Sequence, residues 1–115
     1  MSSDCIFCKI VAGEIPSTVV YETDEILAFR DINPQAPTHV VMIPKAHHPD
    51  VASLADREPA LAGALLAAAG EVARQEGVAE SGYRVVFNTG PEAGQSVFHV
   101  HLHLLGGRAI AWPPG

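Results

Sequence analysis

Basic side chains are in short supply. Lys and Arg number 7 against 13 Asp and Glu, a formal net charge of −6, and no local basic cluster offsets the excess. Such a surface repels a polyanion, which argues against nucleic-acid binding and leaves open a mononucleotide held by a few directed donors. Cysteine is nearly absent: Cys5 and Cys8 are the only two, which rules out a structural disulfide framework. No apolar run approaches the roughly 20 residues of a membrane span; the alanine-rich stretch 60–69 contains Gly63 and is followed by charge. Met1-Ser2-Ser3-Asp4 has no basic flank leading into an apolar run, so no signal peptide is expected, and the expected compartment is the cytoplasm. Internal repeats, linkers and low-complexity tails are also missing. At 115 residues, 48% hydrophobic and 17% charged, the chain has the composition of one globular domain, 1–115.

What the chain does have is histidine at a telling spacing. His99, His101 and His103 alternate with Val100, Leu102 and Leu104. That is the period of a β-strand, which predicts three imidazoles on one face and three aliphatic residues buried on the other. Same-face neighbours then lie about 7 Å apart, two residues at about 3.3 Å each. Three histidines in register point to a phosphate, a metal or nucleophilic chemistry.

The elements around this segment follow from patterning. Ile6–Val11 reads as one or two helical turns, ended by Gly13 and Pro16. Val19–Glu22 and Ile26–Arg30 read as a hairpin joined by Thr23-Asp24-Glu25. The two prolines of Asn33–Pro37 mark a fixed loop, and His39–Pro44 reads as a third, largely buried strand. A polar, proline-containing segment precedes a helix over about Arg57–Glu76, where Leu61, Leu65, Ala68 and Val72 form one apolar stripe. Asp56 is the expected cap, Pro59 fits the first turn and Gly77 can end it. Tyr83–Asn88 and Val97–Leu105 complete the strands, with a glycine-containing loop over Thr89–Gln95. Five strands in mostly hairpin-like order, one long helix and one short one give an α+β domain with an antiparallel sheet. The long helix is expected on the Val100, Leu102, Leu104 face, with the histidine face left open.

The flanking residues make a specific resemblance. Gly94-Gln95-Ser96-Val97-Phe98 leads into the histidines, Gly106-Gly107-Arg108 follows them, and the chain ends Trp112-Pro113-Pro114-Gly115. Upstream stand Asp31-Ile32-Asn33-Pro34-Gln35-Ala36-Pro37-Thr38-His39 and Ile43-Pro44-Lys45. From about Cys5 to Gly115 the chain resembles the histidine-triad (HIT) superfamily of nucleotide-binding proteins, in its nucleoside phosphoramidase branch. The resemblance implies a HIT-like fold and a homodimer whose sheets join into one. It also implies roles: His101 as nucleophile, His103 on the phosphate, and Ser96 with the amides near Gln95–Val97 holding oxygens and aiding the leaving group. His39 becomes a positioning or proton-relay residue, and Asp31 the acceptor of both ribose hydroxyls. Ile6, Phe7, Ile10, Phe29 and Ile32 form a slot for the base, with Asn88 and Gln95 lining the phosphate and ribose. Each role has a plainer counterpart in the residues themselves. His39 reads equally as a structural histidine, Asp31 as a turn former, Asn88 and Gln95 as loop braces, and the apolar residues as core.

Cys5-Ile6-Phe7-Cys8 is half of a tetrahedral zinc site and needs two more ligands. The zinc-containing members of the superfamily imply Cys5, Cys8, His47 and His99 as the set, with His48 an adjacent competitor. The rivals are a redox dithiol and two ordinary buried thiols. A redox dithiol normally follows a strand in a βαβ unit, whereas this one precedes every strand.

The resulting expectation is a purine nucleoside phosphoramidase with a structural Zn²⁺ and no organic cofactor. It cleaves adenosine 5′-monophosphoramidates, with aminoacyl-adenylates as a second candidate substrate, through a nucleotidyl-histidine, and binds AMP or GMP derivatives. The alternatives are a dinucleoside polyphosphate hydrolase of the same superfamily and a purine-nucleotide-binding module without catalysis. A nucleotidyltransferase fits less well, because that branch carries glutamine where this chain has His103.

Overall fold

A computed structural model of the protein describes residues 4–115. Helix α1 (Ile6–Val11) opens the chain, followed by strands β1 (Val19–Glu22), β2 (Ile26–Arg30) and β3 (Thr38–Pro44). Helices α2 (Val51–Arg57) and α3 (Pro59–Gln75) come next, then β4 (Tyr83–Phe87), a 3-10 turn over Pro91–Ala93, and β5 (Leu102–Gly106). The strands form one sheet in the order β1-β2-β3-β5-β4, and every neighbouring pair is antiparallel.

The sheet has two apolar faces of unequal size. On one, Ile26, Ala28, Val40, Met42, Val100, Leu102 and Leu104 pack with Leu54 of α2 and with Leu61, Leu65, Ala68, Ala69, Val72 and Ala73 of α3. On the other, Leu27, Phe29, Val41 and Ile43 form a smaller cluster under Phe7, Ile10 and Val11 of α1. Cover on both sides explains why β3 is buried at all seven positions and reads as an unbroken apolar run rather than an alternation. The aliphatic face of the histidine segment packs on α3 as the alternation predicts. The opposite face is not left open. Helix α1 lies on it, and His99 and His101 are only 0% and 8% exposed.

Two local expectations are corrected. The polar segment before the long helix contains α2, capped by Asp50, whose Oδ1 accepts the Ser53 N–H at 2.8 Å. Asp56 therefore lies inside α2 instead of capping α3, and the described residues form three α-helices. The break follows from Pro59. A proline disfavours the helical region for the residue before it, and Glu58 sits at φ −136°, ψ 65°. The last strand begins at Leu102, not Val97. Met42 and Phe87 are its final partners on the two sides. Beyond Met42, β3 ends at Pro44, which has no N–H to offer, and the Val100 N–H turns instead to the carbonyl of His48 at 2.7 Å. The outer bounds of β3 and β4 shift by one residue, to Thr38 and Phe87. Among the described residues no helix is long and apolar enough to cross a membrane.

Packing is tight where β5 ends. A Cβ placed on Gly106 would lie 3.0 Å from Cβ and Cγ1 of Val78. Gly106→Ala should therefore lower stability by about 1–3 kcal/mol through overpacking, read as a shift of the urea midpoint. A loss below about 0.5 kcal/mol would mean that Val78 moves aside freely.

Candidate active site and metal cluster

Backbone groups set the ring-nitrogen roles of His101, His99 and His39. Nδ1 of His101 lies 2.9 Å from the carbonyl of His99. A carbonyl only accepts, so Nδ1 carries the hydrogen, and in the neutral ring Nε2 is the lone pair. Nε2 of His99 lies 2.8 Å from the carbonyl of Pro44, so the opposite tautomer holds there and Nδ1 is the bare nitrogen. His39 accepts the Gln35 N–H on Nδ1 at 3.0 Å. Its Nε2–H then donates to Nδ1 of His103, 2.9 Å away. His103 is thereby left with an Nε2–H to offer as a donor.

Burial disfavours the charged form of His39, His99 and His103. His103 is pushed down to about 4, first by burial and then by the neighbouring His101 and His39. Burial also lowers His39, opposed by the charge of Asp31, and lowers His99, opposed by its bond to Pro44. Asp31 serves two partners. Its Oδ1 accepts the Asn33 N–H at 2.8 Å, the expected turn, while Oδ2 stands 3.4 Å from Nε2 of His39. Asp31, His39 and His103 are close enough to be considered as metal ligands. The His39–His103 hydrogen bond occupies the nitrogens such an ion would need, so the cluster is a hydrogen-bonded chain.

A cavity of about 430 Å³ opens over His101 and His103, within the range of small-molecule sites. Its walls bring together Ile6, Phe7, Ile10, Phe29, Asp31, Ile32, Asn88, Ser96 and Val97 with the two histidines. Ile32 is 100% exposed and Ile6 45%, so neither is core; both present bare apolar surface at the cavity. Phe7 sets its ring edgewise against His101, with centroids 5.0 Å apart. Gln95 is buried away from the wall. Its Oε1 accepts the Gly90 N–H, and its Nε2 donates to the carbonyls of Pro49 and Val97. It thus braces the loop that presents Ser96. His39 also stands behind the wall, touching the cavity through His103. Trp112 is 80% exposed and lies under the Arg84 guanidinium, 5.9 Å from its ring centroid. Ile15, Pro16, Ser17, Arg30, Val41 and Gly94 complete the lining. Sequence reasoning did not assign Ile15, Pro16, Ser17, Val41 or Gly94 there; the loop 15–17 follows α1 and reaches the cavity only through the fold.

Beside the cavity, the sulfurs of Cys5 and Cys8 and one nitrogen each of His47 and His99 lie within 4.8 Å of one another. The Cys5–His99, Cys8–His47 and Cys8–His99 separations are 3.4, 3.5 and 3.5 Å. Tetrahedral zinc with Zn–S near 2.3 Å and Zn–N near 2.05 Å requires about 3.6 Å between sulfur and nitrogen. The four residues fit the ion, and the bare Nδ1 of His99 is the nitrogen turned toward both sulfurs. His48 is not in the cluster. Bound there, the metal would be structural, tying three separate segments together.

The low value for His103 has a measurable consequence. Between pH 6.5 and 4 the unfolded chain binds a proton that folded His103 does not, so its contribution to stability is full above 6.5 and is lost as pH falls toward 4. Wild type should lose more stability across that window than His103→Gln, whose metal cluster is unchanged. Parallel pH dependences of the two urea midpoints would contradict the assignment.

The HIT domain family model matches residues 12–110. The 14 kDa zinc-binding protein of Zea mays is 56% identical, across 98% of this chain and 89% of its own length. The purine nucleoside phosphoramidase of Escherichia coli is 50% identical, across 96% and 92% of the two chains. The crystal structure of a HIT family hydrolase from Legionella pneumophila superposes with a TM-score of 0.93 at 54% identity, over 96% of this chain and 99% of that one. The antiparallel sheet, the paired tautomers and these similarities have one conclusion: the chain belongs to the HIT domain family.

Proposed function

We propose that the protein is a hydrolase of nucleotide derivatives and cleaves the P–N bond of purine nucleoside 5′-monophosphoramidates. The observation that carries this reading is the contact of His101 Nδ1 with the His99 carbonyl, which leaves the ring's other nitrogen, Nε2, free of that bond, on a residue of the wall of a nucleotide-sized cavity. Phosphoryl chemistry needs a nucleophile, donors for oxygen charge and a proton for the leaving amine. In the first step Nε2 of His101 bonds to phosphorus and the P–N bond to the amine breaks. The amine leaves with a proton supplied from the Ser96 side, and the imidazolium charge is met by the His99 carbonyl. In the second step water attacks phosphorus, the P–Nε2 bond breaks, and the proton from water restores the donor. The products are the amine and a nucleoside monophosphate, and His101 returns to its neutral form.

The remaining residues take roles that suit their positions. The Nε2–H of His103 holds a non-bridging oxygen, and His39 keeps that hydrogen in place by donating to the other ring nitrogen. Asp31 accepts from the ribose, and Ile6, Phe7, Ile10, Phe29 and Ile32 hold the base. Asn88, Ser96 and Val97 border the phosphate, with Gln95 acting through the loop. The relative named a purine nucleoside phosphoramidase supports the substrate class; the relative named a zinc-binding protein supports structural zinc on Cys5, Cys8, His47 and His99. A homodimer with a joined sheet belongs to the same reading, since β4 ends the sheet with one edge unpaired.

Hydrolysis of a fluorogenic adenosine 5′-phosphoramidate by wild type and His101→Ala tests the proposal. Wild type should turn over and the variant should lose at least about 1000-fold in kcat, with AMP affinity within a few-fold. Wild-type rates in the variant would overturn the nucleophile. Absent turnover in wild type, with AMP still bound, would favour the polyphosphate hydrolase or the binding module.

A further inference from the structure

Helix α1 belongs to two sites at once. Cys5 caps its first turn, accepting the Cys8 N–H at 3.4 Å, and both cysteines stand in the metal cluster. Between and just after them, Ile6, Phe7 and Ile10 form part of the nucleotide cavity wall. Phe7 joins the two. Its ring lies edgewise 5.9 Å from His99 of the cluster and 5.0 Å from His101 in the cavity, and it rests on Phe29 at 5.7 Å.

Little else secures the helix. It has six residues, each keeping some exposure, and it meets the sheet through the partly buried Phe7, Ile10 and Val11. A helix this short does not hold itself together in water. An ion on the cluster would pin its first turn to His47, beyond β3, and to His99, ahead of β5, closing a contact across 91 residues of chain. Without that pin, a nucleotide entering the cavity must order α1 at its own cost.

Taking the cavity as a nucleotide site, we propose that α1 is a hinged wall clasped by the Cys5–Cys8–His47–His99 cluster, with Phe7 as the positioning residue, so that metal and nucleotide strengthen each other's binding. Linkage makes the effect reciprocal: whatever factor zinc adds to nucleotide affinity, the nucleotide adds to zinc affinity. Neither quantity is a rate of catalysis.

The test uses Zn²⁺ and AMP as probes on the full chain. AMP affinity is measured by calorimetry for zinc-loaded protein, for zinc-stripped protein and for His47→Ala. Zinc affinity is measured by competition with a chromophoric chelator, with and without saturating AMP. His47 is exposed and stands off the cavity wall, so its replacement weakens the clasp without touching the nucleotide; the variant's NMR spectrum shows whether the fold is kept, and it carries the comparison if stripped wild type unfolds. The expected result is a gain of at least about fivefold in AMP affinity on loading zinc, an equal gain in zinc affinity with AMP, and stripped-like AMP binding by His47→Ala. Phe7→Leu should shrink both gains together while still binding zinc. Equal AMP affinity with and without zinc, or equal zinc affinity with and without AMP, overturns the coupling and leaves the nucleotide site standing. No AMP binding in any form overturns both, and a protein that takes up no zinc overturns the clasp.

Discussion

Three backbone groups decide what the histidines can do. The carbonyls of Pro44 and His99 and the amide of Gln35 each claim one ring nitrogen, and each claim fixes the opposite nitrogen as donor or lone pair. His101 is left with a lone pair facing the cavity, His99 with one facing two sulfurs, and His103 with a donor. Free imidazole would divide between tautomers and, near neutral pH, between charge states. Here burial disfavours the charged form of His39, His99 and His103. The chemistry thus rests on main-chain geometry at the ends of β3 and β5.

That geometry depends on where the sheet stops. Because β3 ends in a proline, the strand carrying the histidines leaves the ladder at Leu102. The carbonyls of Pro44 and His99 then serve imidazoles instead of a neighbouring strand. The same departure lets the segment from Ser96 to His101 pass under α1 and border the cavity. The aliphatic face stays anchored on α3, so the histidines stand on a rigid floor. Placing reactive groups on such a floor, with the variable walls supplied by a short helix and loops, is a division of labour that suits a hydrolase.

Much of this was legible in the sequence. The 2-residue period of Val100, Leu102 and Leu104 gave their common face, and the stripe on α3 gave its partner. The motif residues around the histidines marked the family, and Cys5, Cys8, His47 and His99 do come together. Other features were hidden for physical reasons. Helix α2 is seven residues long and buries only Leu54, too short for a periodic stripe to stand out. The reach of β5 depended on a proline 58 positions before Leu102, a partner that local patterning cannot see. The resemblance set Gln95 beside the phosphate and ribose, with loop bracing as its plainer reading, and its three hydrogen bonds go to Gly90, Pro49 and Val97. That α1 roofs the histidines was also hidden, since a six-residue amphipathic segment does not announce which surface it will cover.

The central claim is that Nε2 of His101 takes the nucleotidyl group. Rapid quenching of a single turnover with phosphorus-labelled adenosine 5′-phosphoramidate, followed by peptide mapping, addresses it directly. The account predicts label that appears before product, decays as product forms, and maps to His101. Product formed at full rate with no protein-bound label, or label on a different residue, would contradict it.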